Sequence, residues 1–246
     1  MRWAEVHRLL QPLVRSRTVL DPVDEAPVAR GLVRTRFGGL PVVDSGERWP
    51  RCPVCGSDLS FVAQVDNARD ALHSRLPVSF FTFWYCWQWH PWDRAERHQW
   101  LVRAYTRLSE PRLLASSTAE PFAERFAAPR LERSLPDTVG FALHRPELWD
   151  AEPDWDLVDR VALSLTGERA PRPHLRNWGV ALGGYPLWAN GPDETPPCPD
   201  CTRPTELLLQ IRPTELTDAT WGDLGTLYLF MCRTHPGRTA LRMQCT

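Results

Sequence analysis

The sequence predicts an α+β protein made of two duplicated antiparallel β-sheet units with zinc-ribbon-like hairpins, with helices at the amino terminus and between the units. Three observations predict it. Cys52-Pro53-Val54-Cys55 followed by Cys86 and His90 returns as Cys198-Pro199-Asp200-Cys201 followed by Cys232 and His235, with 31 residues from the second cysteine of each pair to the next cysteine. A Gly-Gly-x-Pro motif precedes each pair, as Gly38-Gly39-Leu40-Pro41 and Gly183-Gly184-Tyr185-Pro186. Apolar, aromatic-rich runs of strand length lie between the first and later ligands, at 59–65 and 80–85 in one copy and at 207–211 and 226–231 in the other.

Taken in order, Trp3, Val6, Leu10, Leu13 and Val14 recur at helical spacing and predict an amphipathic helix over 3–14. Residues 21–27 read as an acidic, proline-containing loop and 28–37 as a strand that Gly38-Gly39 ends, so 1–36 is a helix and a lead-in strand. Repeat one then spans 37–92, with a helical turn or a loop at Asp66–Leu72 between its strands. The connecting region 93–181 is expected to be mostly helical. Trp100, Leu101, Ala104, Tyr105 and Leu108 share one helical face up to Pro111, and a second helix is expected over 118–131. Phe141-Ala142-Leu143 is a possible edge strand, and Asp154 caps a helix through Leu165. Repeat two spans 182–246.

The cysteine spacing argues for metal. Two sulfurs two residues apart can share one ion, and thiolate with imidazole forms a typical tetrahedral zinc set. A hairpin supplies the second pair: one strand leaves the Cys-x-x-Cys and its antiparallel partner returns to deliver Cys86 and His90, or Cys232 and His235. The candidate ligands of two structural zinc ions are therefore Cys52, Cys55, Cys86 and His90, and Cys198, Cys201, Cys232 and His235. Proline after the first cysteine fixes φ in the metal-binding turn, and Gly56 suits a left-handed position for which the second copy offers only Thr202. The cysteines are the firmer ligands, because the histidine spacing differs between copies. Cys245, outside the pattern, is either a buried residue of the last strand or a substitute for His235.

Composition narrows the function classes. With 29 basic and 30 acidic residues the net charge is −1, so no overall field draws the chain to nucleic acid or a membrane surface. The first residues lack the apolar core of a signal peptide and no stretch approaches a membrane span, while seven cysteines, mostly in metal-like spacing, suit a reducing cytoplasm. Tryptophans cluster at Trp84, Trp87, Trp89 and Trp92, as a local core, as a protein-binding surface or, disfavoured by the neutral charge, as a platform for stacking on bases. No Gly-x-Ser-x-Gly, Walker, Rossmann or His-Glu-x-x-His motif is present. Glu47, Asp66 and Asp223 are the nearest acids by repeat position and read as turn and loop residues.

The strings Arg36-Phe37-Gly38-Gly39-Leu40-Pro41, Trp49-Pro50-Arg51-Cys52-Pro53-Val54-Cys55-Gly56 and Leu59–Asp66, with Leu208-Leu209-Gln210-Ile211, Trp221–Phe230 and Met243-Gln244-Cys245, resemble the YwqG family of bacterial proteins of unknown function. The cysteine-bearing halves also resemble the programmed cell death protein 2 family, which duplicates the same motifs. The resemblance covers about 36–92 and 182–246 and implies duplicated antiparallel sheets. For function it implies protein binding. Some bacterial members lie beside secreted-toxin genes, and the eukaryotic relatives are chaperones of a ribosomal protein. It transfers no catalytic residue. The expectation is a non-catalytic, cytoplasmic protein-binding module, immunity-like or chaperone-like, whose partner the sequence does not name. A zinc-dependent hydrolase and a nucleic-acid-binding zinc-ribbon protein are the alternatives, nucleic acid being disfavoured by charge.

Overall fold

Strands dominate the described residues, and ten of those strands join one antiparallel sheet. The computed structural model describes residues 1–24, 31–70, 76–88, 99–115, 121–150, 154–167, 179–190, 193–223 and 225–245. Its elements are α1 (Trp3–Leu10), a 3-10 turn (Gln11–Leu13), β1 (Arg15–Val23), β2 (Arg36–Phe37), β3 (Val42–Val43), β4 (Ser60–Val65), α2 (Asn67–Asp70), β5 (Phe80–Tyr85) and β6 (Trp100–Tyr105). They continue with β7 (Arg112–Leu113), β8 (Arg125–Ser134), α3 (Thr138–His144), α4 (Pro146–Asp150), α5 (Trp155–Thr166), β9 (Val180–Gly183), β10 (Glu206–Ile211), β11 (Thr226–Met231) and β12 (Thr239–Gln244). The sheet order is β12-β11-β10-β9-β1-β8-β2-β4-β5-β6, and β3 pairs with β7 in a separate ribbon.

The long pair β1–β8, in register from Arg15 opposite Ser134 to Val23 opposite Phe126, forms the spine. A wing of strands extends on each side. In one wing β4 pairs with β5, with a register shift between Phe61 and Ala63; in the other β10 pairs with β11, with a shift between Leu207 and Leu209. The wings curl toward each other, because Phe81, Phe83 and Tyr85 of β5 share one buried cluster with Leu227, Leu229 and Met231 of β11. Tyr85 meets Trp221 edge-on at 6.3 Å, closing the contact between wings. A second core lies under the helices, where Val6 and Leu10 of α1 pack with Phe141 of α3 and with Val158 and Val161 of α5. Full burial of each such side chain is worth about 1.5–3 kcal/mol, which is what holds short helices in place. Among the described residues, no helix is long and apolar enough to cross a membrane.

Several expected elements differ. The amino-terminal helix stops at Leu10 rather than Val14, since Pro12 supplies no N–H and the chain tightens into a 3-10 turn before β1. Residues 21–23, expected in a loop, belong to β1. Pro22 is tolerated there because it pairs with Ala127 of β8 while β9 reaches only Leu20, leaving its other edge unbonded. Of the strand expected over 28–37 only Arg36–Phe37 is regular, residues 25–30 lying outside the described residues. The carbonyl of Arg34 is taken by the side-chain amide of Gln64 at 2.7 Å instead of a ladder partner.

The largest corrections fall between the cysteine-bearing segments. Residues 100–105 are a strand, not a helix, paired along their whole length with β5. The second expected helix, 118–131, overlaps β8 from Arg125 onward, where Ala127 and Ala128 favour helix locally but Pro129 opposes it and pairing with β1 decides, residues 118–120 lying outside the described residues. Phe141-Ala142-Leu143 is helix α3, not an edge strand, because the Asp137 carboxylate accepts the Gly140 N–H at 2.7 Å as its cap. The Asp154-capped helix forms as expected, with its carboxylate accepting from the Asp156 N–H, and the turn after Asp66 is α2.

Candidate metal centres

Each Cys-x-x-Cys sits in the same tight turn. The Cys52 N–H donates to Ser57 O (2.8 Å) and the Gly56 N–H to Cys52 O (2.9 Å); the Cys198 N–H donates to Arg203 O (2.8 Å) and the Thr202 N–H to Cys198 O (2.8 Å). Isolated bridges Arg51–Asp58 and Pro197–Pro204 clamp the two turns at their bases. The turn needs a left-handed residue after the second cysteine. Gly56 supplies it at φ 74°, and Thr202 supplies it at φ 58°, the only positive φ of a non-glycine among the described residues. A β-branched residue there costs roughly 1–2 kcal/mol, and the Thr202 hydroxyl donates to Cys201 O at 2.7 Å within that conformation.

The returning strands bring the remaining ligands. Cys86 directly follows β5 and Cys232 directly follows β11. The Cys86 N–H donates to Gln99 O (2.9 Å), tying the residue before β6 to the cluster. In the other half the Cys232 N–H donates to Arg238 O (3.0 Å), the Arg238 N–H to His235 O (2.8 Å), and the His235 N–H points at Cys232 Sγ (3.3 Å). This second turn presents His235 inward.

Cys198, Cys201, Cys232 and His235 place their ligand atoms all within 4.8 Å of one another, as do Cys52, Cys55 and Cys86. The individual separations are diagnostic. Cys201 and Cys232 sulfurs are 3.7 Å apart, as are those of Cys55 and Cys86. His235 Nδ1 lies 3.6 Å from Cys198 Sγ and 3.7 Å from Cys232 Sγ. A disulfide would need sulfurs about 2.05 Å apart. A tetrahedron with zinc–sulfur bonds near 2.3 Å and zinc–nitrogen bonds near 2.05 Å has edges of about 3.8 Å and 3.6 Å. The donor set and its edges fit such an ion, so each cluster can hold a metal.

The electrostatics divide the thiols, lowering Cys55 and Cys198 and raising Cys86 and Cys201. The Ser57 hydroxyl and N–H, bonded to the Cys55 sulfur, bring that thiol down to about 7. Burial opposes ionisation of Cys198, but the N–H groups of Asp200 and Cys201 and the His235 ring outweigh it and bring it to about 6. Burial pushes Cys86 up to about 12. A bound cation would remove these protons together.

Seven of the eight expected ligands are thus placed, three in one cluster and four in the other, while His90 lies outside the described residues. Cys245 is not a substitute ligand: it follows β12, with its sulfur 3.9 Å from Trp221 O. Glu47 holds Tyr105 OH (2.7 Å) and Arg103 (3.2 Å), and Asp66 Oδ1 accepts from the Arg69 N–H, so both acids are committed to structure. Trp84 is fully buried and Trp87 packs on Tyr85, Phe122 and Trp221, whereas Trp89 and Trp92 lie outside the described residues. Sequence inspection missed the Asp200–Arg238 ion pair (2.7 Å), which closes the two turns of the second centre over each other. Its signal was an acid inside the Cys-x-x-Cys and a base just beyond the histidine.

A family model described as Domain of unknown function (DUF1963) matches residues 35–235. The chain belongs to this family. The DUF1963 match runs from Thr35 beside β2 to the last candidate ligand, His235, and so contains both clusters. It leaves out β1, although that strand forms half of the central pair. A comparison with curated proteins found no match.

Proposed function

We propose that this protein is a non-catalytic protein-binding module whose two wings are each stapled by a structural zinc ion, and that the wings are copies of one ancestral unit. The four-ligand set of Cys198, Cys201, Cys232 and His235 at tetrahedral edge lengths carries this reading. Four protein ligands close the coordination sphere, whereas a hydrolytic zinc needs an open position and a nearby base. In this reading the first centre takes His90, which lies outside the described residues, as its fourth ligand.

Common descent is supported by detail beyond the cysteines. Gln64 accepts the Val42 N–H and Gln210 accepts the Leu187 N–H, both at 2.9 Å, so each glutamine fastens the segment after its Gly-Gly-x-Pro motif to the middle of the wing. The likeness to the YwqG and programmed cell death protein 2 families supports a protein as the partner, in an immunity-like or chaperone-like role in the cytoplasm. The net charge of −1 argues against a nucleic-acid backbone.

Elemental mass spectrometry on protein purified without added metal tests the centres. Two zinc ions per chain are expected, falling to one in Cys198→Ser. A zinc-free wild type with free thiols would overturn the structural metal. Capture of one stoichiometric partner, with no turnover of ester, amide or phosphodiester substrates by the zinc-loaded protein, is the expected functional result. Turnover abolished by Cys52→Ser or Cys198→Ser would establish the hydrolase instead.

A further inference from the structure

Strand β9 leaves the sheet early. It ends at Gly183, and Gly183 and Gly184, at φ 64° and 71°, turn the chain away from its neighbours β1 and β10. Gly184 crosses directly over β1, since a Cβ there would lie 2.8 Å from Arg17 Cβ and 2.7 Å from Ser134 Oγ. Where β9 has gone, β1 and β10 face each other two strand spacings apart, about 10 Å. The space is a cavity of about 470 Å³ that includes Arg15 and Arg17 of β1, Glu206 of β10, Tyr185, and His144 of α3 in its lining. That volume is in the range of small-molecule sites.

The charges on opposite walls are not spent on each other. Arg17 is buried and paired with Glu132. Arg15, by contrast, lies with its guanidinium carbon 4.0 Å from the centre of the Tyr185 ring and meets no carboxylate among the described residues. Glu206 on the other wall is half-buried and meets no cation among the described residues. Tyr185 is held by His144, whose ring packs on it at 5.6 Å. Burial, with Arg15 and Arg145 nearby, lowers the pKa of His144 despite Asp193, which favours the neutral imidazole.

A cation and an anion in the lining of one cavity, neither paired with a charge among the described residues, match a molecule with both charges. Arg15 and Glu206 belong to the strands on either side of β9 and line one cavity, so a single small molecule carrying both charges can meet each of them through a charge-assisted hydrogen bond. We propose that this cavity binds a small zwitterion, an α-amino acid or dipeptide whose carboxylate meets Arg15 and whose ammonium meets Glu206. No candidate metal ligand lines this cavity, although Glu206 pairs with Met231, the residue before Cys232.

Calorimetric titration of the full zinc-loaded chain with L-alanine, Ala-Ala, acetyl-Ala-Ala and Ala-Ala amide tests it. Saturable binding of alanine or Ala-Ala is expected, and which of the two binds more tightly tells the free amino acid from the dipeptide. Blocking either end should weaken Ala-Ala at least about tenfold, the scale of one lost charged contact. Arg15→Ala should abolish the preference over the amide, and Glu206→Gln the preference over the acetylated form. Circular dichroism checks that both variants fold, as expected for side chains at the cavity wall. No saturable binding by any of the four, equal binding of the blocked forms, or unchanged preferences in both folded variants would overturn the proposal.

Discussion

Replacing Gln64 by leucine should cost far more than replacing Gln210 by leucine, although both glutamines occupy corresponding places in their wings and both are essentially fully buried. Gln64 uses both ends of its amide: Oε1 accepts the Val42 N–H at 2.9 Å and Nε2 donates to Arg34 O at 2.7 Å. Leucine strands both backbone groups. A stranded buried N–H or C=O costs about 1–3 kcal/mol, and the half-buried Arg34 sits at the low end, so Gln64→Leu should lose about 2–4 kcal/mol. Gln210 accepts the Leu187 N–H at 2.9 Å, but its Nε2 meets no acceptor among the described residues. Leucine there strands one group and removes a buried donor that was already unsatisfied, so the two effects offset to within about 1 kcal/mol. Urea unfolding followed by tryptophan fluorescence at saturating zinc, with the slope checked for constancy, measures both. For a chain of this size each kcal/mol moves Tm by about 2–4 °C, so the two variants should separate by several degrees. Equal losses, or a larger loss in Gln210→Leu, would refute this accounting of the amides.

Thr202→Gly should raise the stability of the second centre by up to about 1 kcal/mol, the left-handed strain relieved exceeding the entropy glycine adds to the unfolded chain; calorimetry reads it, and a drop in Tm would contradict it. Gly38→Ala should cost more than about 3 kcal/mol, because φ is 62° and the new Cβ would stand 2.2 Å from Ala123 O, whereas Gly46→Ala, at φ 84° with open space, should cost about 1 kcal/mol. The folded-state pKa of His144 is depressed, mainly by burial, so its contribution is fully present above the unfolded value near 6.5 and is lost as pH falls below it. Between pH 7.5 and 5.5 wild-type Tm should therefore fall more steeply than that of His144→Gln, and parallel curves would count against the assignment.

Sequence alone determined the parts of this protein governed by local chemistry. Two Cys-x-x-Cys turns with matched spacing, the Gly-Gly-x-Pro breaks, the apolar runs of β4, β5, β10 and β11, and the Asp154 cap all announce themselves within a few residues, because turn geometry and ligand spacing are short-range properties. The eight candidate ligands were legible for that reason, and seven of them meet. The sequence could not determine what long-range pairing decides. The apolar residues of 100–105 recur at helical spacing and Ala127-Ala128 favour helix locally, yet 100–105 and 125–134 are strands because β5 and β1 offer them complete hydrogen-bonded partners. Pro22 and Pro129 lie within strands because only one of their edges is used. The cavity beside β9 depends on tertiary structure in the same way: Arg15 and Glu206 are 191 residues apart, and the sheet order alone places them on facing walls.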